Sequence, residues 1–505
     1  MNDPNQPTEP CRPRPQLSLS RRVGTSVSLV GAIWATVVAS CVGHDPVGTA
    51  DDGGAGGLAP PDGTIPEAAA ERDPQPPGCD TPTEPLKNPE KCLVDSFGAF
   101  VSTTGSDSND GSKKRPFRTI IKALAAGRPR IIVCEGTYAE SIDIKADVEI
   151  YSGVTCDFTK AGAKAKIVAT KADYAVSITA PATAVRMHSV DVEAVDGTEP
   201  RANSIAMVVS QAQAVTLVNV SLTSKKGFDG KAGDEGAVGA MGDNGNNATG
   251  GAPGALKLKV CNGVTTAGGS GGFDGADGQA GGPNIPENPA GETPPKDGAG
   301  GKAEAVDCFG GGFGHSGADA PEATPAAKIA THGTLTTTWQ PARGKDGTSG
   351  GPGQGGGGGG GIAGNGGGGG TGGCGGTGGK GGEGGGASIA LLSLNAKVTV
   401  QGSTLRSGAG GRGGDGRVGG AGGRGGGGGS RTGAACQAGS GGQGGKGGAG
   451  SGGAGGISVP LVHRGERPQG DMTLSFGTPG TAGQGGAPGV NDGPEGLAQN
   501  ELEVL

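Results

Sequence analysis

The chain has 505 residues, of which 115 are glycine and only 3% aromatic, and its formal net charge is -7. So much glycine and so few large apolar side chains exclude a conventional packed core over roughly half of its length. The acidic balance leaves no basic footprint, which argues against nucleic acid as a partner.

The N-terminus reads as an export signal. Arg21 and Arg22 precede the apolar run VGTSVSLVGAIWATVVA, residues 23–39. A run of that length approaches the minimum for a membrane helix. The basic flank, apolar stretch and small-residue ending fit a secretory signal better. Ordinary cleavage and an uncut anchor are the alternatives to lipidation. The ending VASC, residues 38–41, resembles the bacterial lipoprotein box. That resemblance implies removal of residues 1–40, acylation of Cys41 with palmitate among the acyl groups, and a membrane partner through the lipid. Val42 is not acidic, so the resemblance gives no reason for inner-membrane retention and implies an outer-membrane or cell-surface address. SRRVG touches a twin-arginine signal, but the rest of that motif is missing. Residues 41–95, rich in Pro, Gly, Ala and Asp, read as a disordered tether.

Setting aside Cys11 and Cys41 leaves eight cysteines. They fall in neighbouring couples: Cys79 with Cys92, Cys134 with Cys156, Cys261 with Cys308, Cys374 with Cys436. Proximity suggests these pairings without fixing them. No spacing suggests zinc, and in an exported chain disulfides are the default.

Folding is expected from residue 96, with a cap and first rungs over 96–224. Here a strand is followed by GSDSNDG and then PFRTIIKAL, a short helix placing Ile120, Ile121 and Leu124 on one face. RIIVCEGTY and VEIYSGV then read as strands joined by a glycine turn. These pieces resemble the N-terminal cap and first rungs of right-handed parallel β-helices of the pectate-lyase-like kind, the pectin lyase fold. The resemblance implies an all-β solenoid and leaves activity open, because that fold hosts enzymes, adhesins and inert stalks.

Four later segments share a form, beginning at Ala175, Ser204, Ser388 and Ile457. Aligned, they bring together Val185, Val215, Val398 and Met472, and then Met187, Leu217, Val400 and Leu474. Period-2 alternation turns these residues to one face. Ser189, Asn219 and Gly402 share a turn position, with Val192, Leu222 and Leu405 inward beyond it. An antiparallel sandwich of the same strands is the alternative to a solenoid. The solenoid rungs at 387–407 and 457–476 are separated by glycine-rich insertions at 225–386 and 408–456, and a glycine-rich tail occupies 477–505.

In the insertions glycine recurs every third residue, from Gly227 to Gly245 and from Gly410 to Gly428, with shorter sets at 269–281 and 477–489. Three residues per turn is the repeat of the polyproline II helix, which has no internal hydrogen bonds. Glycine at each turn leaves one face bare, so neighbouring helices can approach and bond backbone to backbone. A bundle of such helices and a disordered glycine-rich linker are the two readings. The composition also resembles mycobacterial glycine-rich surface proteins, without the N-terminal domain that defines that family. Calcium-binding nonapeptides and phosphate loops are not matched.

Polysaccharide lyases on the resembled fold gather carboxylates around calcium. The candidates here are Asp191, Glu193 and Asp196, with Arg186 and His188 nearby; no cofactor or metal is expected, and calcium at these acids is the alternative. Ser221 and Asn219 supply no matching acids on the next rung, so alternating acids also fit a plain solvated strand face. Asp107 and Asp110 suit a calcium ion or Asx turns. His188 and His463 lack a nucleophile motif. The sequence therefore points to a lipid-anchored surface protein with a structural or adhesive role toward polysaccharide or a surface protein. A polysaccharide lyase or glycoside hydrolase is the alternative.

Overall fold

The computed structural model describes residues 76–79, 84–180, 182, 184–199, 203–283, 297–303, 307–308 and 312–505. The signal region 1–40, Cys41 and most of the tether lie outside the described residues. Two four-residue helices, α1 (Glu84–Lys87) and α2 (Pro89–Cys92), precede strand β1 (Ala99–Val101), and α3 (Ile120–Ala125) follows it. Thr119 caps α3, its side chain accepting from Lys122 N at 3.1 Å. The Glu140 carboxylate takes the next two free amides, those of Ile120 and Ile121. The buried side of α3 is Ile120 and Ala123, with Leu124 packed at the edge. Ile121, expected on that face, is 50% exposed, because it lies one residue off the stripe that meets the core.

After α3 the chain visits three rows of parallel strands in turn. The first pass is β2 (Arg130–Val133), β3 (Gly136–Ala139) and β4 (Ile142–Ile144); the second is β5 (Val148–Tyr151), β6 (Ala165–Val168) and β7 (Val176–Thr179). The third is β8 (Val185–His188), β9 (Val190–Glu193) and β10 (Ser204–Ser210). The fourth is β11 (Val215–Val218) and β12 (Ser221–Thr223). Hairpins β13 (Lys257–Cys261)–β14 (Val264–Gly268) and β15 (Gly333–Leu335)–β16 (Trp339–Pro341) then intervene before β17 (Ser388–Leu394). The long strand β18 (Val398–Arg406) spans the first two rows and β19 (Ser458–Arg464) the third; β20 (Gln469–Ser475) and β21 (Glu501–Glu503) close the chain. Among the described strands every pairing between the rows is parallel, and the two hairpins are antiparallel.

Stacking like on like builds the core. Val185, Val215 and Val398 are register partners, as are Met187, Leu217 and Val400. Val192, Leu222 and Leu405 stack in the second row. The shared bend between these rows is left-handed in each pass, with φ of 54° at Ser189, 53° at Asn219 and 53° at Gly402. The last copy departs from the expected alignment: Met472 pairs with Ser403 and Leu474 with Leu405. The offset of 70 set by Leu394 and Arg464 carries unchanged through the turn to Thr399 and Gln469, which puts Gly470 beside Val400, and the register shifts by one where β18 makes the Gly402 bend. Strands β10, β17 and β19 are buried on both faces and accordingly read as near-continuous apolar runs. Their outer face joins Leu335 and Trp339 of the second hairpin in a separate apolar cluster.

All three glycine-rich insertions leave after the second row and return to the third. They are ordered. The amides of Gly227, Gly230, Gly233, Gly236, Gly239, Gly242 and Gly245 donate to carbonyls from Ala409 to Gly427 at every third residue, 2.7–3.0 Å away. The return segment, 368–386, runs antiparallel to both and bonds to each on the same spacing. Segment 441–456 bonds back onto 411–426, and 344–359 lies antiparallel to 367–382. Each excursion thus runs out and back, and successive amides of one triplet address different neighbours. The glycines are obligatory: a Cβ on Gly236 would sit against the Thr377 carbonyl, and one on Gly419 against that of Gly447. Asp and Asn side chains take some of the remaining amides, as Asp229 does for Arg412, Asn244 for Gly427 and Asn247 for Ser430.

Four disulfides form among the described residues. Cys79–Cys92 and Cys134–Cys156 are the expected neighbours. The other two correct the expected couples: Cys261 joins Cys374 and Cys308 joins Cys436. The folding back of the insertions brings residues 113 and 128 apart in sequence together. Closing loops of that length removes the most unfolded-state entropy, about 5 kcal/mol each in the chain-entropy picture. The tail also differs from expectation, ending in strand β21 on β19 rather than in glycine-rich chain alone.

Candidate functional site

The charged side chains of the coil collect on the outer faces of its first two rows. In the second row alternation turns Val190 and Val192 inward and Asp191 and Glu193 outward. Register places Asp191 beside Lys166 and Glu193 beside Val168. The three acids named as calcium candidates are met by cations and an amide of the chain itself. Lys164 Nζ lies 3.6 Å from Asp191 Oδ1. Lys166 and Lys225 approach the two Glu193 oxygens at 2.6 and 2.9 Å, and Asp196 Oδ1 accepts from Lys226 N at 3.0 Å. Partial burial opposes ionisation of Glu193, but the two ammonium groups outweigh it and hold its carboxyl below the usual range. Among the described residues no three His, Cys, Asp or Glu side chains are grouped to hold a metal ion.

The first row carries a second cluster. Glu149 accepts from Arg130 Nε at 3.3 Å, Arg186 Nη1 at 3.1 Å and Tyr151 OH at 3.0 Å. Arg130 is buried over the Phe97 ring, with its guanidinium carbon 5.0 Å from the ring centre. His188 stacks on Tyr151 at 4.7 Å and 4° between planes. It is 1% exposed, and its Nε2 has no hydrogen-bond partner among the described residues. Burial disfavours the imidazolium, and the nearby Glu149 charge does not offset it, so its pKa falls to about 4. Arg186 and His188 are thus near the acids of the second row in sequence but engaged with Glu149 and Tyr151.

Asp110 makes an Asx turn, whereas Asp107 reaches across to a distant segment. Asp107 accepts from the amides of Arg118 and Thr119 and from the Thr119 hydroxyl, tying the loop to the α3 cap. Asp110 accepts from Ser112 N at 3.0 Å.

One constellation escaped the sequence reading. His463 and Ser393 are register partners on β19 and β17, and His463 Nε2 lies 3.0 Å from Glu501 Oε1. Arg467 Nε contacts both Glu501 oxygens at 2.7 and 2.9 Å, and this guanidinium is the main cause holding that carboxyl below the usual range. Serine, histidine and acid therefore adjoin, but Ser393 Oγ and His463 Nδ1 are buried with no hydrogen-bond partner among the described residues. Ser393 is fully buried, so this hydroxyl meets no solvent-borne substrate. The sequence signal was positional only: both residues interrupt apolar runs at the place Val209 holds in β10.

A family model described as "Protein of unknown function (DUF1565)" matches residues 103–232, covering α3, the first passes and the start of the first insertion. Uncharacterized protein YwoF of Bacillus subtilis (strain 168) is 46% identical over 48 residues, 9% of this chain and 10% of that protein's length. Among solved structures, GH136 lacto-N-biosidase from Eubacterium ramulus is 14% identical with a TM-score of 0.20, covering 25% of this chain and 26% of that one. A rhamnogalacturonan lyase is 10% identical with a TM-score of 0.22, covering 61% and 57%. At these scores neither likeness carries the activity over. The four disulfides mark an exported protein. Among the described residues no helix is long and apolar enough to cross a membrane.

Proposed function

We propose that this is a lipid-anchored surface protein, acylated at Cys41, in which a right-handed parallel β-helix carries a bundle of polyproline II helices in a structural or adhesive role. The observation that carries the reading is the register of the bundle. Long excursions return to the coil through regular backbone hydrogen bonds, and two disulfides clip them. Such an assembly projects a rigid body from the coil and does so without a large apolar core. The lysine-paired acids of the second row favour a load-bearing polar face over a metal-dependent catalytic one. Extracellular polysaccharide is the ligand class proposed for the charged faces of the coil.

The test compares bacterial cells making the natural chain with cells making Cys41→Ala, scored for palmitate incorporation, detergent partitioning and adhesion to immobilised polysaccharides. The natural chain should be labelled, partition into detergent and adhere, and the variant should lose all three. Labelling that persists in the variant would overturn the anchor. Equal adhesion by cells lacking the protein would overturn the adhesive role.

A further inference from the structure

Helix α3 buries Ile120 and Ala123 against the coil but leaves a second apolar line on its side. That line is Ile121, 50% exposed, with Leu124 half-buried and Ala125 exposed next to it. The three side chains form one wall of a cleft of about 430 Å³. Facing them are Ser141, Asp143 and Lys145, which alternation turns away from the buried Ile142 and Ile144 of β4. Arg128, just after α3, and Asp147, in the turn to β5, also line the space. Strand β4 ends its row, so no further strand fills the place beside it.

The polar groups of this cleft are held in position from behind. Ser141 Oγ accepts from Thr170 N at 3.1 Å, and Asp143 Oδ1 accepts from the Tyr174 hydroxyl at 2.8 Å. Asp147 Oδ1 accepts from Ala184 N at 2.8 Å. A carboxylate has lone pairs for about four hydrogen bonds, so both acids keep accepting capacity, and the exposed Lys145 ammonium brings three donors. Lys145 and Arg128 balance Asp143 and Asp147, which leaves no net charge to select an ion of either sign. An apolar wall with a few convergent polar groups is the usual make-up of a small-molecule site, and the volume lies in the range of about 300–1,000 Å³ such sites have.

We infer that this cleft binds a neutral sugar unit of a polysaccharide, with the C–H face of the ring on Ile121 and Leu124 and its hydroxyls on Asp143 and Lys145. A hydroxyl both donates and accepts, so a carboxylate and an ammonium two residues apart on one side of a strand match neighbouring hydroxyls. A uronic acid would bring a third carboxylate beside Asp143 and Asp147, and a purely apolar ligand would strip water from Asp143 and Lys145 without replacing it. The inference rests on the adhesive reading above and adds to it a defined site at the cap of the coil.

Cellohexaose, mannohexaose, xylohexaose and hexagalacturonate are titrated by calorimetry into the mature full-length chain and into its Ile121→Ser and Lys145→Ala variants. Both side chains are exposed, so the variants should unfold at the urea midpoint of the natural chain. At least one neutral hexasaccharide should bind, and hexagalacturonate should bind at least about tenfold more weakly. Each variant should lose at least about fivefold in affinity for the neutral probe. No binding by any of the three neutral probes, or equal or tighter binding of hexagalacturonate, would overturn the site. A neutral probe that binds the natural chain and both variants alike would overturn the cleft and leave the adhesive reading standing. Cells lacking the protein that adhere as well as cells making it would overturn the adhesive reading instead.

Discussion

His188 offers a quantitative test of how the coil is packed. Its imidazole is 1% exposed, stacked on Tyr151, and its pKa is lowered from 6.5 to about 4 by burial. Because the folded value lies below the unfolded one, the unfolded chain takes up the proton first as pH falls. This contribution to stability is complete above about pH 6.5, declines between about 6.5 and 4, and changes no further below that. At about 1.4 kcal/mol per unit the full loss is about 3 kcal/mol, of which about 2.5 kcal/mol has appeared by pH 4.5. Glu149, the acid facing the ring, is already taken by Arg130, Arg186 and Tyr151 and does not rescue the cation. The perturbation is His188→Phe, which keeps an aromatic ring on Tyr151 and removes the titrating nitrogens. Urea unfolding at about pH 7.5 and pH 4.5, followed by circular dichroism, should show the variant within about 1 kcal/mol of the natural chain at the higher pH. At the lower pH the natural chain should have lost about 2.5 kcal/mol more than the variant. An undiminished acid slope in the variant, or an imidazole titrating near 6.5 in the folded protein by NMR, would refute the reasoning.

Gly236→Val should abolish amide protection along 368–386 and 409–427, because its side chain would enter the space of the Thr377 carbonyl. Asp234→Ala, at an exposed position, should stay within about 0.5 kcal/mol of the natural chain with protection unchanged. Deleting Ala240 alone should unravel the outbound helix beyond it, since Asp243 then falls in the slot of Gly242. Deleting Gly239, Ala240 and Met241 together keeps glycine in every slot and shortens the helix by one turn, about 9 Å. Hydrogen exchange should find the triplet deletion protected and the single deletion exchanging freely.

The local rules of the coil were legible because they repeat. Alternation placed Val185, Val215 and Val398 in one column, and Asn219 and Gly402, types that tolerate a left-handed backbone, marked the bend that Ser189 shares. The same counting misplaced Met472, because Gly470 holds the place beside Val400 and the apolar alternation resumes only past the bend, where Met472 pairs with Ser403. Proximity found the two short disulfides and missed the two long ones, since nothing in composition shows where an excursion turns around. Hairpin β13–β14 carries Leu258 and Val260 on an exposed face, a solvent-facing alternation with no partner column to reveal it. The Ser393–His463 adjacency was illegible for a similar reason: 70 residues of chain, most of them glycine-rich, separate two neighbours in one row.

The coil supplies what glycine lacks. A triplet helix buries little apolar surface and glycine loses the most entropy on ordering, so an isolated bundle would have no reason to choose one alignment. Here the alignment is inherited. Ser221 and Thr404 pair at an offset of 183 residues; that offset persists where Asp229 bonds to Arg412 and where Asn247 bonds to Ser430. Ser388 and Ser458 pair at an offset of 70, and the return segments approach the coil in the matching parallel register, Gly385 N donating to Ala454 O. Leu405 and Leu474 set an offset of 69 that continues in the bond from Gln484 N to Asp415. Each excursion therefore leaves and re-enters in a phase already set by packed valine, leucine and isoleucine columns. Backbone hydrogen bonds need only propagate that phase, one amide per triplet, until the chain turns. On this account the hydrophobic energy of a small core orders a far larger volume of glycine, and the disulfides act where propagation alone is weakest, far along the excursions.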